Sequence, residues 1–486
     1  MSTERQIKRA MRALDEVRRE VAELSPEEVD CDEVERQLQD VLNGVGRACM
    51  QEVFEHADTK TPEVECRGER WGNRRESPGT YETRFGQITI SRSIYSRGGG
   101  GPVLVPLELR LGLVEGRYTP GVAGILTRVK ALMTTKEAAA LLQDVGVAQV
   151  SESTLDRLPK AVAARYEQQR EQINAAIREA EVVPDAATVV QVSLDGVMVP
   201  QDGEKARARG RKSESPGCPR HERRYGALVG PTPPADKDGQ PGRTWHEATV
   251  GTLAFWNEDG QHLKTIYIGR MPESGQETVA TELDTELLAV LEQRPDLDVS
   301  FASDGDPHQW TLLQGISVPV CEDSDRQVTF VLDFYHAADY VHNAAQAVLD
   351  GAAANVQAEQ WKATLTEYGN GAERVLKSMR YFRDRETRPK RRAAIDAAIK
   401  FLAKQARAGR MNYKAALDLG HPIGTGVTEA AAKTLVNVRM KRAGARYDQH
   451  GGQTILTFRA ALLSERFHAL LDELHQSYKA PVRDAA

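Results

Sequence analysis

The stretch VVQVSLDGVMVP, residues 189–200, sets the fold of the chain around it. Apolar and polar side chains alternate from residue 190 to 195, which is the period of a strand with one buried face. Asp195 therefore projects from the polar face, beside Gly196, which leaves room for a ligand. A carboxylate on a rigid strand next to glycine is typical of metal-dependent phosphoryl-transfer sites. A turn or a capped strand end uses the same Asp-Gly pair. The choice between a catalytic site and a turn therefore depends on the segments that follow.

The order of the segments after residue 200 indicates an α/β core. A glycine- and arginine-rich stretch at 201–243 is typical of a solvent loop. The later patterns are strands at 245–256 and 262–270, a helix at 276–291, a strand at 297–305, a short helix at 310–313 and a strand at 327–336. Three strands, helix, strand, helix and strand are the order of an RNase H-like core. Its first and fourth strands are neighbours, which places Asp195 next to Asp304, with Asp306 as a competitor for the same role.

A third acidic residue follows a helical, basic segment without strand patterns, residues 337 to about 419. The chain returns through residues 421–442, where a helix begins near Thr428 and carries Glu429 in its first turn. Four cations follow without an intervening acid: Lys433, Arg439, Lys441 and Arg442. A carboxylate on a helix lined with cations suits a site for metals and a polyanion. A solvent-facing helix with a favourable N-terminal Glu is the alternative.

The segment TTKEAAALLQDVGVAQVSESTLDRLPKAV, residues 134–162, predicts two helices around a turn at Gly146, the second capped by Ser151. This is the layout of a helix-turn-helix. The second helix would present four side chains to DNA: Ser153, Thr154, Asp156 and Arg157. An ordinary helical hairpin gives the same signals, so both interpretations stay open.

Composition limits the class of protein. The 486 residues suggest two to four domains, and 40% hydrophobic with 28% charged residues is ordinary for a soluble globular protein. The absence of a long apolar run and the charged N-terminal sequence predict a cytoplasmic protein without a membrane partner. The five scattered cysteines indicate neither disulfides nor a zinc site.

Charge is distributed unevenly. The net charge of -6 does not indicate a nucleic-acid binder. Residues 371–410, however, carry 13 Lys/Arg against 4 Asp/Glu, whereas residues 1–70 carry 11 against 18. A local basic block suits a DNA path across part of a surface, and solvated helix faces would give the same composition.

These patterns predict an α-rich N-terminal region with a helix-turn-helix, followed by an α/β core that contains an all-α insertion. The segments are a helical arm at 1–60, a small β-containing segment at 61–115 with a hairpin at 80–95, the helix-turn-helix region at 116–184, core strands at 185–336, the insertion at 337–420, and the catalytic helix with C-terminal helices at 421–486.

Five motifs, taken together, resemble a known family. They are SLDGVMV at 193–199, ASDGDPHQW at 302–310, LDFYHAADYVHN at 332–343, GTGVTEAAAKTLV at 424–436 with RMKRAGARY at 439–447, and GGQTILTFRAALLSERF at 451–467. Their order resembles that of ISKra-type insertion-sequence transposases, in the DDE group that includes the Mutator-like enzymes. The resemblance implies that Asp195, Asp304 and Glu429 are the catalytic, metal-binding triad, and that Asp333 with His336 is an auxiliary D-x-x-H signature.

The resemblance has one departure. Relatives commonly carry paired cysteines of a zinc-ribbon type before PLELRLGL, and this chain has none in SRGGGGPVLVPLELRLGL, residues 96–113. We therefore expect the hairpin at 80–95 to be held by packing alone.

The expected chemistry follows from three converging carboxylates, which hold two divalent cations about 4 Å apart for in-line displacement at phosphorus. Mg²⁺ suits such ligands and Mn²⁺ would be tolerated. Water would cleave DNA at the element ends, and the freed 3′-hydroxyl would attack target DNA. The expected partners are element-end and target DNA and further copies of the chain, in a homodimer or larger synaptic complex at the bacterial or archaeal nucleoid.

DNA contacts are expected from Ser153, Thr154, Arg157, Lys433, Arg439, Lys441, Arg442 and Arg446, and from the basic insertion. Two alternatives keep the fold: a domesticated, non-catalytic DNA-binding protein, and an RNase H-like nuclease without strand transfer. A metal phosphatase is disfavoured because no phosphate-cradling glycine loop follows a strand.

Overall fold

The described residues of the computed structural model form two compact units, one within 1–176 and 467–485 and the other within 177–466. Described are residues 3–23, 25, 27, 29–97, 101–146, 150–201, 244–273, 276–321, 326–442, 445 and 447–485. Arg446 and all but the first residue of the loop expected at 201–243 lie outside these ranges. Within them, no helix has the length and apolar character needed to cross a bilayer.

A five-stranded antiparallel sheet lies in the described part of the first unit, in the order β10-β1-β2-β3-β4. Its strands are β1 (Val64–Cys66), β2 (Glu69–Thr83), β3 (Gly86–Ser96), β4 (Val103–Leu104) and β10 (Val482–Asp484). The hairpin expected at 80–95 is longer than its sequence pattern indicates, since β2 begins at Glu69. Residues 421–486 were expected to be helical, and strand β10 near the end of this segment was not predicted. A three-residue strand has no detectable periodicity and depends on its pairing with β1.

Apolar packing is one of the interactions that hold this hairpin. Tyr81, Ile88 and Ile90 are buried against Phe54 in one cluster. A second cluster contains Trp71, Tyr95 and Val482. The described helices of the unit are α1 (Thr3–Glu23), α2 (Cys31–Ala57), α3 (Pro106–Leu111), α4 (Pro120–Leu132), α5 (Thr135–Asp144), α6 (Glu152–Gln168) and α18 (Phe467–Tyr478), together with the first seven residues of α7 (Arg170–Glu179), whose last three belong to the second unit.

Helices α5 and α6 confirm the two helices expected around Gly146. Thr134 and Glu137 form a capping box at the start of α5. Ser151 caps α6 by accepting a hydrogen bond from the Thr154 backbone N–H at 3.3 Å. Gly146 has a φ of +64°, a left-handed conformation that favours glycine and ends the first helix.

The second unit contains a mixed five-stranded sheet, ordered β7-β6-β5-β8-β9 in the described residues. The strands are β5 (Val189–Gln201), β6 (Thr244–Trp256), β7 (His262–Arg270), β8 (Asp298–Ser303) and β9 (Val328–Leu332). β5, β6 and β7 are antiparallel, whereas β8 pairs in parallel with both β5 and β9. The sequence therefore predicted this strand order correctly, including the neighbouring positions of the first and fourth strands.

Helices cover both faces of this sheet. One face packs on α8 (Glu277–Gln293) and α9 (Pro307–Cys321), and the other on the helices that return after the insertion. Helix α9 is longer than the short helix expected at 310–313. Strand β9 ends at Leu332, before the expected end at residue 336, because Asp333 caps the next helix.

The insertion is helical, as its sequence predicts. Its helices are α10 (Phe334–Val348), α11 (Gly351–Glu367), α12 (Gly371–Arg385), α13 (Pro389–Arg407) and α14 (Tyr413–Asp418). They enclose an apolar cluster that includes Trp361, Met379 and Leu402. Packing of these side chains makes the insertion a folded element joined directly to β9.

The polar face of β5 is covered, which the alternating pattern at residues 190–195 did not predict. Gln191 is 2% exposed and Ser193 is 1% exposed. The Gln191 side-chain amide donates to the backbone carbonyls of Gly424, at 3.2 Å, and Pro422, at 3.4 Å. Polar residues on this face therefore bind a distant loop and not bulk water, and they place that loop over the strand.

The returning helix is interrupted by a π-helical turn. It consists of α15 (Gly426–Ala431), the π-helix Ala432–Asn437 and α16 (Val438–Met440), and α17 (Gln449–Leu463) packs beside it. The Arg459 guanidinium of α17 donates to the carbonyls of Leu435, at 3.2 Å, and Thr434. A π-helical turn disturbs the regular hydrogen-bond pattern of an α-helix, and Arg459 binds two of the backbone carbonyls in this turn.

Charged side chains at the edge of the second unit form a buried cluster. Arg466 pairs with Glu286 at 2.9 Å and with Glu181. Lys264 also pairs with Glu181, and Arg178 lies 3.4 Å from Glu286. The two glutamate side chains are only 9% and 6% exposed, so each depends on its cations.

Replacing Arg466 with methionine should destabilise the protein by about 3–5 kcal/mol, because two buried carboxylates would lose a shared cation. Urea-induced unfolding followed by circular dichroism measures the change. Lys414→Met is the matched control, since its partner Asp418 is 59% exposed and such a pair contributes at most about 1 kcal/mol. An equal loss in both variants would contradict a special role for the buried cluster.

Candidate active site

One cavity of about 210 Å³ brings together the five residues expected to form the catalytic site. Its lining comprises Ser193, Leu194, Asp195, Asp304, Gln309, Asp333, His336, Thr425, Thr428 and Glu429. All of them belong to the second unit. The cavity therefore joins sheet, insertion and returning helix at one edge of the sheet.

The sheet register places Asp195 and Asp304 side by side. Ser193 of β5 lies opposite Ala302 of β8 in the parallel pairing. Asp195 and Asp304 each follow two residues later, towards the same end of their strands. Asp304 lies just beyond the carboxyl end of β8, whereas β5 continues past Asp195 to Gln201, so the two carboxylates meet where the parallel pairing of these strands ends.

Asp306 does not compete with Asp304 for the cavity. Its Oδ1 accepts hydrogen bonds from the backbone N–H groups of His308, at 2.7 Å, and Gln309, at 3.0 Å. It is exposed and caps the start of α9. Asp304 lines the cavity, and its Oδ1 accepts the N–H of Asp306 at 3.0 Å, which fixes the turn.

Each of the two Asp-Gly pairs has a steric reason for its glycine. A Cβ at Gly196 would lie 1.6 Å from a carboxylate oxygen of Glu247, which comes from the neighbouring strand β6. A Cβ at Gly305 would lie 2.7 Å from the ring of Phe401, and its φ of +108° also favours glycine. The absence of a side chain at Gly196 thus makes room for the Glu247 carboxylate, and its absence at Gly305 makes room for Phe401 of the insertion.

The environment of Asp195 disfavours its charge. Burial, together with the nearby carboxylates of Asp304, Glu429 and Glu247, raises the pKa of Asp195 to about 6. The Gly196 backbone N–H donates to Asp195 Oδ1 at 2.7 Å and partly opposes the shift. Burial is the largest cause of the raised pKa, and two of the contributing carboxylates, Asp304 and Glu429, line the same cavity as Asp195.

Glu429 is carried by α15, which two contacts hold against the sheet and the insertion. The Thr428 hydroxyl lies 2.7 Å from the Thr252 hydroxyl of β6. The Thr425 hydroxyl donates to Asp333, which is 1% exposed. Glu429 itself is exposed in the first turn of α15 and reaches the cavity.

Asp333 and His336 have separate parts in the site. Asp333 caps α10 by accepting the Tyr335 backbone N–H at 2.8 Å, in addition to its bond from Thr425. The His336 ring is half-buried, and its centroid lies 5.4 Å from that of Tyr340 and 6.0 Å from that of Phe401. His336 therefore both packs on the insertion and lines the cavity.

The insertion supports the Asp304 turn through residues that sequence patterns did not single out. Gln405 is 1% exposed, and its side-chain amide donates to the Gly305 carbonyl at 3.3 Å. Arg410 donates to the Gln405 side-chain oxygen at 3.0 Å and lies 4.0 Å above the Trp310 ring. No local pattern marks such contacts, because about 100 residues separate the partners.

The residues expected to bind DNA have different environments. Ser153 and Arg157 are exposed and Thr154 is half-buried on α6, and Lys433, Lys441 and Arg442 are exposed. Arg439 is 1% exposed, so the expectation that it binds DNA is wrong. Its guanidinium lies within 3.4 Å of the Tyr447 hydroxyl in the core.

Asp156 also differs from its expected place at a DNA surface. It pairs at 2.8 Å with Lys130, whose side chain is 8% exposed, and at 2.8 Å with Lys160. These cations lower the pKa of Asp156 although burial opposes them. Asp156 thus neutralises a buried lysine beneath α6.

The donor set of the cavity suits a hard divalent cation, because carboxylate oxygens dominate its polar lining. A cation would relieve the repulsion that raises the pKa of Asp195. Ser193 Oγ is buried at the cavity wall and has no hydrogen-bond partner among the described residues. In those residues no three acidic, imidazole or thiol groups converge closely enough to hold one ion. The identity of the metal ligands stays a prediction.

Comparisons with known proteins give no family assignment. No family model matches the chain, and no curated protein matches it. Among solved structures, the Mos1 transposase paired-end complex with left transposon end is 12% identical, covering 60% of this chain and 79% of that chain at a TM-score of 0.16. A pre-cleavage Mos1 transpososome is 11% identical, covering 84% and 98% at a TM-score of 0.14. At such TM-scores the likeness carries no argument about this chain.

Proposed function

We propose that the chain is a DNA transposase of the DDE group, with the second unit as an RNase H-like catalytic core. The observation that carries the proposal is the meeting of Asp195, Asp304 and Glu429 in one cavity. Three antiparallel strands followed by two parallel ones support the assignment of the core. The ISKra-type resemblance of the motifs supports the choice of reaction.

The proposed chemistry is in-line displacement at phosphorus, first by water at an element end and then by the freed 3′-hydroxyl on target DNA. Asp195, Asp304 and Glu429 would hold Mg²⁺, or Mn²⁺. Two ions held there would supply activation of the attacking oxygen and stabilisation of the leaving oxygen. Both steps are the same displacement, so one site serves both and no protein nucleophile is needed.

The chain's own residues would arrange this site. Asp333 and Thr425 fix the loop before Glu429, and His336 places an imidazole at the cavity wall. The glycine at 305 lets the insertion support the turn that carries Asp304. These contacts limit the motion of the carboxylates. Phosphoryl transfer requires that catalytic groups are held in fixed positions.

DNA binding would involve both units. In the first, Ser153, Thr154 and Arg157 lie on the second helix of the proposed helix-turn-helix. In the second, Lys433, Lys441 and Arg442 are exposed cations on the segment that carries Glu429. Cleavage of two element ends in concert would need at least a homodimer.

Asp195→Asn and Glu429→Gln should each abolish cleavage and strand joining while leaving DNA binding intact, because each removes a charged ligand and keeps the side-chain size. The assay uses linear DNA that carries the sequences flanking this chain's own gene, with Mg²⁺. Asp306→Asn is the matched control, since that residue caps α9 and asparagine caps equally well. We expect it to retain activity.

The same assay separates the alternatives. Nicked DNA without joined products would favour a nuclease without strand transfer. Specific binding without cleavage by the unsubstituted protein would favour a domesticated DNA-binding protein. Cleavage that survives in Asp195→Asn would contradict the assignment of the cavity as the active site.

Cleavage at subsaturating Mg²⁺ should fall as the pH is lowered through about 6, because Asp195 with its raised pKa becomes protonated there. Glu247→Gln should move this acidic limb to lower pH, since it removes one of the charges that raise the pKa. Glutamine at 247 can still accept the 2.9 Å bond from Gln276. Rate measurements from pH 5 to 8 test this, and an unmoved limb would contradict the coupling.

A further inference from the structure

Helix α12 of the insertion presents a stripe of basic and aromatic side chains on its outer face. Arg374, Lys377, Tyr381 and Arg385 recur at spacings of three and four residues, which places them on one side of the helix. All four are exposed. We call them the α12 stripe. The opposite side is buried in the insertion core and contains Val375, Leu376 and Met379.

Two of these cations lie over the face of an aromatic ring. The Arg374 guanidinium lies 4.1 Å from the centre of the Tyr368 ring, and that of Arg385 lies 3.4 Å from the centre of the Tyr381 ring. Tyr368 is 43% exposed and Tyr381 is 54% exposed. An aromatic ring that lies beneath a guanidinium restricts its orientation. The N–H donors on the outer side of the guanidinium stay accessible to an anion.

The three cations of the stripe have no acidic partner at ion-pair distance. In the described residues no carboxylate oxygen lies within 4.0 Å of Arg374, Lys377 or Arg385. By contrast, three other cations of the insertion are paired: Lys362 with Glu359, Arg383 with Asp384 and Asp396, and Lys414 with Asp418. The three cations of the stripe therefore form no ion pair in the described residues, whereas Lys362, Arg383 and Lys414 are each paired with a nearby carboxylate.

We propose that the α12 stripe binds the phosphate backbone of duplex DNA. The twelve residues from Arg374 to Arg385 span about 16 Å along the helix axis, which matches the rise of about five nucleotides along one strand. An array of cations at that spacing is complementary to a regular polyanion. The inference rests on the proposed function for its partner, and it assigns to the insertion a DNA contact outside the catalytic cavity.

The test compares two triple variants of the full chain that have the same net charge. One is Arg374→Ala with Lys377→Ala and Arg385→Ala. The other is Lys362→Ala with Arg383→Ala and Lys414→Ala, which removes three paired cations of the same insertion. Fluorescence anisotropy with a labelled random-sequence duplex of about 30 base pairs gives the affinity at several salt concentrations.

The stripe variant should bind at least tenfold more weakly near 0.1 M salt. The slope of log affinity against log salt should become shallower by about 2 to 3, since three phosphate contacts contribute about 0.9 each. The control variant should keep nearly the full slope. Equal effects in both variants would overturn the inference, because net charge alone would then explain them, and the proposed function would be unaffected. No duplex binding by the unsubstituted protein would overturn both.

Tyr381 provides a second measurement that a general loss of folding would not reproduce. Tyr381→Phe keeps the ring beneath Arg385 and should retain the salt slope. Tyr381→Ala removes the ring and should weaken binding severalfold, with an unchanged thermal transition because the side chain is largely exposed. Equal binding by both variants would exclude a part for the ring in ordering Arg385.

Discussion

Like charges repel one another in the half-buried cavity of the second unit, and the fold around it has to hold them in place. Burial and three neighbouring carboxylates together raise the pKa of Asp195 to about 6. Flexible side chains on loops would move apart under such repulsion. Here Asp195 lies on a strand, Asp304 follows the adjacent parallel strand, and Glu429 lies on a helix fixed to the sheet. Rigidity of these elements keeps the charges close.

The insertion contributes to that rigidity. Phe401 occupies the space that a side chain at residue 305 would need, and Gln405 binds the carbonyl at the same position. Arg410 fixes Gln405 and is itself held over the ring of Trp310. The turn that carries Asp304 is thus supported from behind by residues about 100 positions later in the chain. Removing the insertion would remove a wall of the site as well as a surface domain.

Much of the cavity could be predicted from the sequence, because strand periodicity and element order are local signals. They placed Asp195 and Asp304 on neighbouring strands, and the structure has this arrangement. The third carboxylate could be named only through the motif after the insertion. Gln405, Glu247 and Thr425 escaped detection because their roles depend on contacts between distant segments.

The errors have a common physical cause: periodicity does not reveal what covers a face. The polar side of β5 looks solvent-facing in sequence, yet Gln191 is buried against the loop at Gly424. Arg439 stands among exposed cations in sequence and is 1% exposed in the fold, beside the π-turn of its helix. A π-turn shifts the residues that follow it around the helix axis, so a regular helical pattern misplaces them.

Charge counts along the chain are therefore a poor measure of charge available to a ligand. Arg410 belongs to the most basic block of the sequence, yet it is buried and stabilises the turn that carries Asp304. Arg383 lies in the same block and is neutralised by Asp384 and Asp396. What remains for a polyanion is the subset that is both exposed and unpaired. In the insertion this subset includes the regular α12 stripe, because the buried face of that helix fixes which side of it meets solvent.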